Sequence, residues 1–355
     1  MFGGQGSASE YFNDLHLLDL ETAPSLNVTQ LSAAGNPPAP RCSSTLTAVA
    51  VSGMPGTEVV VMFGGSQGHF EGLSNSLYIL QGDNSVSISD ATSQHMGLTW
   101  SEPIVCAHSA ADGVPGARTG HSAVSWRGKL ILFGGNNPQH RFNDTWILDV
   151  SEPLGVSTGK LLATWIQLNV RDNVRPPSRS GHTASVVGDS LYVFGGCRFN
   201  GAYNDLWKLD LSAPEPRWEE LHVTGTPPTP RLGHAAVALG DRIVFSGGRG
   251  PPTAGAIGVY ATTDKGLATS QGHTFFAGGF ALLDITRGSW LPTQHPTHSV
   301  DVQNDDTDHG DMRVDQVWEH RCGHVMVPAE HGLLIIGGLG YNGEFLNDVQ
   351  RAGMF

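Results

Sequence analysis

The chain has little charge, few cysteines and no long apolar run. Charged residues make up 15% of its 355 positions, against about 25% in an average soluble domain. Asp and Glu number 33 against 20 Lys and Arg, which gives a formal net charge of −13. This acidic balance argues against nucleic-acid binding and against docking on anionic lipid. No apolar run approaches the roughly 20 residues that cross a bilayer, so we expect no membrane span.

Cysteine usage and the N-terminal segment both bear on the cellular compartment. The cysteines form no C-x-x-C pair, and their wide spacing matches no zinc pattern or disulfide scaffold. The segment MFGGQGSASEY has no basic region followed by an apolar stretch, so no signal peptide is visible. We therefore expect a cytoplasmic protein with reduced, mostly buried thiols. These are Cys42, Cys106, Cys197 and Cys322.

A repeated pattern runs along the whole chain. An apolar run that ends in Gly-Gly occurs six times, at 1–4, 59–65, 129–135, 190–196, 242–248 and 332–338. An Arg-x-Gly-His motif precedes four of these runs, and Arg41 begins a degenerate fifth copy. Asn-Asp and an alternating apolar stretch follow several copies, and a tryptophan comes next. Each unit therefore predicts four short strands: a after Arg-x-Gly-His, b before Gly-Gly, c after Asn-Asp, and d near the tryptophan.

Four-stranded units of this kind resemble Kelch repeats, which build β-propellers. The resemblance implies an all-β fold, and we interpret residues 1–355 as a single Kelch β-propeller domain. We favour six four-stranded blades. Seven stay open, because HTFFAGG at 273–279 imitates another Gly-Gly ending. The first and last blades are incomplete in this chain, which leaves a fragment or an irregular closure as alternatives.

The long insertions predict which face of the propeller binds. Adjacent strands of a blade run antiparallel, so the b–c and d–a connections emerge on one face. Segment 249–274 is a b–c insertion, and 101–117 and 291–320 are d–a insertions, whereas 81–98 is a c–d insertion on the opposite face. Binding residues concentrate on loops held by a rigid scaffold. We therefore expect the b–c/d–a face to be the functional one.

The arginines of the repeated motif are candidate binding residues on that face. In Kelch propellers that bind acidic peptides, arginines at this motif position contact the ligand, so the resemblance implies the same role here. The planar guanidinium grips a carboxylate with two hydrogen bonds. The alternative is that each arginine pairs internally with a carboxylate or carbonyl. The candidates are Arg41, Arg118, Arg179, Arg231 and Arg321, together with Phe70, Phe199 and Phe345, which anchor a partner or pack under their loops.

The segment 299–320 crowds six aspartates into one stretch that only Arg313 opposes. It is a solvated loop without a task, an internal mimic of an acidic ligand, or a site for a divalent metal such as iron. For the metal, Asp301, Asp305 and His309 follow D-x-x-x-D-x-x-x-H. This spacing is similar to the E-x-x-x-D-x-x-x-H motif of Kelch-type nitrile-specifier proteins, although its first residue departs from that motif.

These patterns favour a non-enzymatic protein-interaction module without a cofactor, whose partner is a protein or peptide, including an acidic one. G-x-S-x-G, H-E-x-x-H and P-loop motifs are absent, which disfavours an enzyme without excluding one. One alternative is a metal-dependent Kelch-type enzyme or specifier protein that uses residues 299–324. Another is an accessory propeller of a larger protein. The oligomeric state is left open.

Overall fold

The computed structural model describes residues 1–6, 10–19, 27–68, 72–82, 97–152, 160–170, 174–198, 201–250, 275–276, 279–291, 321–329, 332–340 and 344–352. The regular elements within these ranges are all β-strands. Accordingly, no helix in these ranges has the length and apolarity to cross a membrane.

The first half of the described chain forms three blades. Blade 1 contains β1 (Phe2–Gln5), β2 (Tyr11–Asp19) and β3 (Asn27–Leu31). A short β4 (Ala33–Gly35) leads into blade 2, which contains β5 (Thr45–Ser52), β6 (Glu58–Phe63), β7 (Leu77–Gln81) and β8 (Leu98–Ser101). Next, β9 (Ile104–Ala107) leads into blade 3, which contains β10 (Ser122–Trp126), β11 (Lys129–Phe133), β12 (Thr145–Ser151) and β13 (Leu162–Gln167).

The second half forms three more blades. Blade 4 contains β14 (Thr183–Val187), β15 (Ser190–Phe194), a b–c hairpin of β16 (Cys197–Arg198) and β17 (Gly201–Ala202), then β18 (Leu206–Asp210) and β19 (Trp218–Glu220). Blade 5 contains β20 (Ala235–Leu239), β21 (Arg242–Ser246), a hairpin of β22 (Arg249–Gly250) and β23 (Phe275–Phe276), then β24 (Phe280–Asp284) and β25 (Ser289–Leu291). Blade 6 contains β26 (Arg321–Cys322), β27 (Val325–Ala329), β28 (Gly332–Gly340) and β29 (Phe345–Ala352).

The described strands pair as six blades with the predicted strand roles. In blades 3, 4 and 5, strands a to d pair antiparallel in sequence order. Blade 1 has strands b, c and d, and blade 6 has a, b and c, as predicted. Within the described ranges, Gly279 of the second glycine pair in the fifth unit does not end the b strand of a further blade. The residues before it form a b–c hairpin, and β24 after it pairs with β21 as strand c.

The apolar core lies between the blades, and the two faces of each b strand divide between two cores. In β11, Leu130 and Leu132 pack into a cluster with blade 2, whereas Ile131 and Phe133 pack into a cluster with blade 4. Alternate side chains of a strand point to opposite faces. Because a neighbouring blade covers each face of β11, residues on both faces are apolar and the strand reads as a continuous apolar run. The a strands of consecutive blades from 2 to 6 lie side by side.

Two d–a connections contain outer strands, and the sequence analysis treated one of these connections, 101–117, only as a loop. The strand β4 pairs parallel with β8 of blade 2, and β9 pairs parallel with β13 of blade 3. The chain therefore leaves one blade and adds a fifth strand to the outer edge of the next. The predicted 101–117 insertion begins with such a strand.

Polar contacts join the blades on the a–b/c–d face. The carboxylate of Asp149 in blade 3 accepts hydrogen bonds from Ser52 Oγ of blade 2 (2.6 Å) and from Lys129 Nζ (2.7 Å). Asp189 in blade 4 accepts two hydrogen bonds from the guanidinium of Arg127 in blade 3, at 2.7 and 2.8 Å. These pairs are exposed or half-buried, so solvent screening leaves each with little net contribution to stability. The interblade cores therefore provide most of the stabilisation.

Candidate interaction face

The glycine pair of one blade packs against the Arg-x-Gly-His motif of the next blade. At Gly134, φ is +62°, and a Cβ atom would lie 2.9 Å from His182 Cε1 and 3.0 Å from the carbonyl oxygen of Arg179. The N–H of Gly135 donates to that same carbonyl at 2.9 Å. Only glycine meets both requirements without strain. We call this arrangement the blade joint; it recurs at Gly64, Gly195 and Gly247.

The five motif arginines lie inside the blades, with exposed fractions of 0 to 5%. Arg179 donates to the carboxylate of Asp205 through Nη1 and Nη2, both at 2.7 Å, and Nη1 also donates to the carbonyl of Gly195. The indole N–H of Trp207 donates to the same carboxylate at 2.7 Å. The same bidentate pairing joins Arg118 to Asp144 and Arg321 to Asp348.

Internal pairing, the alternative that the sequence left open, thus occupies the carboxylate-binding edge of three motif arginines. A partner carboxylate would have to displace an internal one there, at the expense of a buried ion pair. Direct contact between these arginines and a partner stays a prediction.

Two motif arginines, Arg41 and Arg231, have no carboxylate partner among the described residues. Ser76 and Gly279 stand where the other blades have the paired aspartate. Arg231 donates to the carbonyls of Thr229 and Gly247 at 3.1 and 2.9 Å. Its burial lowers the pKa of the guanidinium to about 10. Arg41 donates to the carbonyl of Gly64 at 3.1 Å, and its Nη2 has no hydrogen-bond partner among the described residues. Burial lowers the pKa of Arg41 as well.

The motif histidines connect neighbouring blades. His182 Nε2 and Ser122 Oγ of the preceding blade lie 2.9 Å apart, and His121 is paired with Thr45 in the same way at 3.1 Å. Burial, followed by the adjacent Arg179, lowers the pKa of His182 to about 3. The other three motif histidines, His121, His234 and His324, also have lowered pKa values because of burial. These rings are therefore neutral at physiological pH.

A chain of backbone hydrogen bonds runs around the propeller axis on this face. The N–H of Gly181 donates to the carbonyl of Gly120 at 2.8 Å, Gly233 donates to Gly181 at 2.8 Å, and Gly323 donates to Gly233 at 2.6 Å. These are the glycines of four successive Arg-x-Gly-His motifs. They fix a rigid rim from which the b–c segments extend.

Three other arginines bring positive charge to this face. Arg141, Arg198 and Arg249 lie in the b–c segments of blades 3, 4 and 5; Arg198 is exposed and the other two are half-buried. Arg141 donates to the carbonyl of Cys197 at 2.9 Å and to Ser180 Oγ at 3.1 Å, which holds its guanidinium beside the rim. Sequence reasoning missed these residues because they are not part of the repeated motif. Their position within the b–c segments that follow the glycine pairs was the available signal. We call them the b–c arginines.

The remaining predicted site residues have different outcomes. Phe345 begins β29 and is 44% exposed, which leaves its ring available to a partner. Phe70 and Phe199 lie outside the described residues, and so do Asp301, Asp305 and His309. Within the described ranges, no group of three or more His, Cys, Asp or Glu side chains is arranged to hold a metal ion.

All four cysteines are free thiols. The expectation that most are buried is wrong, because only Cys322 is buried. The other three are half-buried. Three of the four lie at the blade joints: Cys42 and Cys322 follow motif arginines, and Cys197 follows a glycine pair. Burial raises the pKa of the Cys322 thiol.

The fold and the blade joints are those of a β-propeller built from repeated motifs, and comparison with known proteins agrees. The KLHDC2/KLHL20/DRC7 Kelch-repeats domain model matches residues 73–265, more than half of the chain. The chain therefore belongs to the Kelch-repeat family.

The relatives of this chain include plant and fungal proteins. It is 32% identical over 260 residues to Adagio-like protein 3 of Oryza sativa subsp. japonica, which covers 70% of this chain and 35% of that protein. It is 33% identical over 198 residues to Adagio protein 3 of Arabidopsis thaliana, a match that covers 52% of this chain and 27% of that protein. It is 30% identical over 209 residues to Tip elongation aberrant protein 1 of Schizosaccharomyces pombe, a match that covers 58% of this chain and 15% of that protein. The matched regions span about a quarter to a third of the Adagio relatives.

A solved structure shares the fold over nearly the whole chain. The structure of YjhT aligns with a TM-score of 0.60 at 16% sequence identity and covers 95% of this chain and 87% of that one. At this identity the similarity concerns the fold alone.

Proposed function

We propose that this propeller is a protein-interaction module that binds an acidic peptide or protein segment on its b–c/d–a face. The observation that carries the proposal is the b–c arginines, Arg141, Arg198 and Arg249. They place three guanidinium groups on consecutive blades of one face, whereas the motif arginines are buried. Arginine is enriched at protein interfaces and binds carboxylates with two hydrogen bonds.

Because the chain as a whole has a net charge of −13, binding of an acidic ligand depends on the local arrangement of arginine charges on this face. At physiological salt the Debye length is about 8 Å, so charges elsewhere on the disc are largely screened from a ligand on this face. A bound acidic segment responds chiefly to the charges it contacts. The rigid rim lowers the entropic cost of binding because the b–c segments start from fixed positions.

The test uses a fluorescein-labelled hexaglutamate peptide and a hexalysine control in a polarisation assay. We expect hexaglutamate to bind more tightly, with an affinity that falls as salt rises. The double variant Arg198→Ala/Arg249→Ala should weaken binding about five- to tenfold, as two partly exposed charge contacts predict. Arg127→Ala, an exposed arginine on the opposite face, is the matched control and should bind normally. Equal binding of both peptides, or an unchanged affinity in the double variant, would contradict the proposal.

The length of the relatives favours a second function that is compatible with the first, an accessory domain within a longer protein. Because the matched regions span only part of the Adagio relatives, we propose that the propeller acts as the interaction domain of a longer protein. An immunoblot of source-cell extracts with an antibody to this chain tests it. A band well above 37.7 kDa supports the longer protein, and a single band near that mass contradicts it.

We also propose a cytoplasmic location, since four free thiols suit a reducing compartment. Cell fractionation with the same antibody tests it, and recovery in a secretory fraction would contradict it.

A further inference from the structure

A pocket lies at the junction of blades 2 and 3, and none of the b–c arginines lines it. Its volume is about 310 Å³, at the small end of the range for ligand pockets. Blade 2 contributes Leu77 and Tyr78 of β7, and blade 3 contributes Trp165 of β13. The connection between the two blades contributes Glu102, Pro103, Val105, Val114 and Pro115.

The walls of this pocket are held in place by their own contacts. Trp165 is buried and packs edge-to-face against Phe63, with ring centroids 5.3 Å apart. The side-chain amide of Asn75 donates to the carbonyl of Pro115 at 3.3 Å. The strand that carries Val105 is paired along its length with β13. The pocket therefore exists before anything binds, which lowers the cost of binding.

The strand β9 beside the pocket presents a free edge. The N–H groups of Ile104 and His108 donate to carbonyls of Leu161 and Trp165 in blade 3, at 2.9 and 2.8 Å. Backbone groups of a parallel strand alternate in direction. Those of Val105 and Ala107 therefore point away from blade 3, and no strand pairs with that edge among the described residues. An unprotected edge of this kind accepts an added strand.

The side chains at this edge are apolar and uncovered. The exposed fractions of Ile104, Val105 and Val114 are 39, 44 and 42%. Since Val105 and Val114 also line the pocket, the apolar surface of the edge continues into the cavity. Such a continuous patch is typical of an interaction surface.

One acidic side chain determines which occupant suits the pocket. Within the described part of the chain, Glu102 is exposed and has neither a hydrogen-bond nor an ion-pair partner. An apolar occupant would remove water from this carboxylate without replacing its hydrogen bonds, at an energetic cost. An acidic occupant would be repelled. A basic side chain places its alkyl stem against Val105, Val114 and Trp165 and its charge against Glu102.

We propose that this edge is a second docking site, which takes an extended segment of a partner protein. The segment adds a strand to β9 and inserts a lysine or arginine side chain into the pocket beside Glu102. This site differs from the acidic-segment site of the proposed function in place and in charge preference. Either can therefore fail without the other.

The test is a selection of displayed random seven-residue peptides on the full chain, with counter-selection on the Glu102→Gln variant. We expect the retained peptides to be enriched in lysine or arginine within strand-forming sequences. A synthetic copy of a retained peptide should bind Glu102→Gln and Val105→Asp at least about tenfold more weakly than the unmodified chain. It should bind Glu220→Gln normally, because Glu220 is an exposed carboxylate on the outer strand of blade 4.

A second measurement checks the strand addition itself. N-methylation of alternate amides of the retained peptide should abolish binding in one register and spare it in the other, because only every second amide faces the strand. Recovery of no peptide, no enrichment in basic residues, or equal binding to Glu102→Gln would overturn the proposal. Equal tolerance of N-methylation in both registers would overturn the strand-addition part.

Discussion

The four buried motif histidines should make this propeller lose stability between pH 7.5 and 5.5. His121 and His182 have pKa values lowered to about 3, and that of His324 is lowered to about 4. The pKa of His234 is lowered well below the ordinary value of 6.5. At pH 7.5 nearly all of these rings are neutral in both the folded and the unfolded chain, so the stability that depends on them is complete. Below pH 6.5 the unfolded chain takes up protons that the folded chain does not, and the free energy of unfolding falls.

The expected size of this effect follows from the lowered pKa values. At pH 5.5, one pH unit below the unfolded value, each histidine destabilises the fold by roughly 1–2 kcal/mol. Four together amount to a loss on the order of 5 kcal/mol, comparable with the whole stability of many proteins. Unfolding in urea, followed by tryptophan fluorescence at pH 7.5, 6.5 and 5.5, measures this loss by linear extrapolation.

The variant His182→Gln separates this mechanism from other acid effects. Glutamine keeps a side-chain hydrogen-bonding group near Ser122 but does not titrate. The variant's free energies of unfolding at pH 7.5 and 5.5 are compared with each other, so that any change in its stability at pH 7.5 cancels. We expect it to lose roughly 1–2 kcal/mol less than the unmodified chain between pH 7.5 and 5.5. An equal loss in both proteins, or no loss in the unmodified chain, would refute the reasoning.

Three substitutions test the blade joints by thermal or urea unfolding. Asp205→Asn leaves the buried Arg179 without its countercharge and should destabilise the fold by about 3 kcal/mol; a change below about 1 kcal/mol would show that the carbonyl bonds suffice. His324 Nε2 has no hydrogen-bond partner among the described residues. Ala235→Ser offers it the hydroxyl that other blades provide and should raise the free energy of unfolding by about 1 kcal/mol; a loss of stability would contradict this. Gly195→Ala puts a Cβ atom 2.9 Å from a carbonyl oxygen and should lower the free energy of unfolding by about 2–4 kcal/mol. Gly188 has positive φ as well, but the space around it is open, so Gly188→Ala is the control. An effect of Gly195→Ala no larger than that of the control would contradict the steric argument.

The blade pattern was predictable because each strand is marked by a residue type with one structural use. Gly134 and Gly135 require positive φ at the end of strand b, and alternating apolar residues in TWILDV fit a sheet covered on both sides. The pairing of Arg179 with Asp205 was only one of two possibilities, because the residues are 26 positions apart. Only the register of strands b and c brings them together.

The outer strand β9 and the b–c arginines escaped prediction for a different reason. The four residues of IVCA are too short to show a period. The b–c arginines stand at different distances from the glycine pair in each blade. A search for repeats finds only residues that recur at a constant spacing. Sequence reasoning on repeat proteins therefore finds the scaffold more readily than the residues that distinguish one member from another.

The blade joint has a consequence for how such a chain changes during evolution. Its two halves belong to different repeats: the glycine pair ends one strand, and the arginine and histidine begin the next blade. A segment duplicated from one glycine pair to the next carries a complete set of joint residues and meets matching partners on both sides. A segment exchanged between unlike propellers must match two neighbours at once. Ala235 offers no hydroxyl to His324 of the adjoining blade, so a residue in one repeat determines a hydrogen bond of the next.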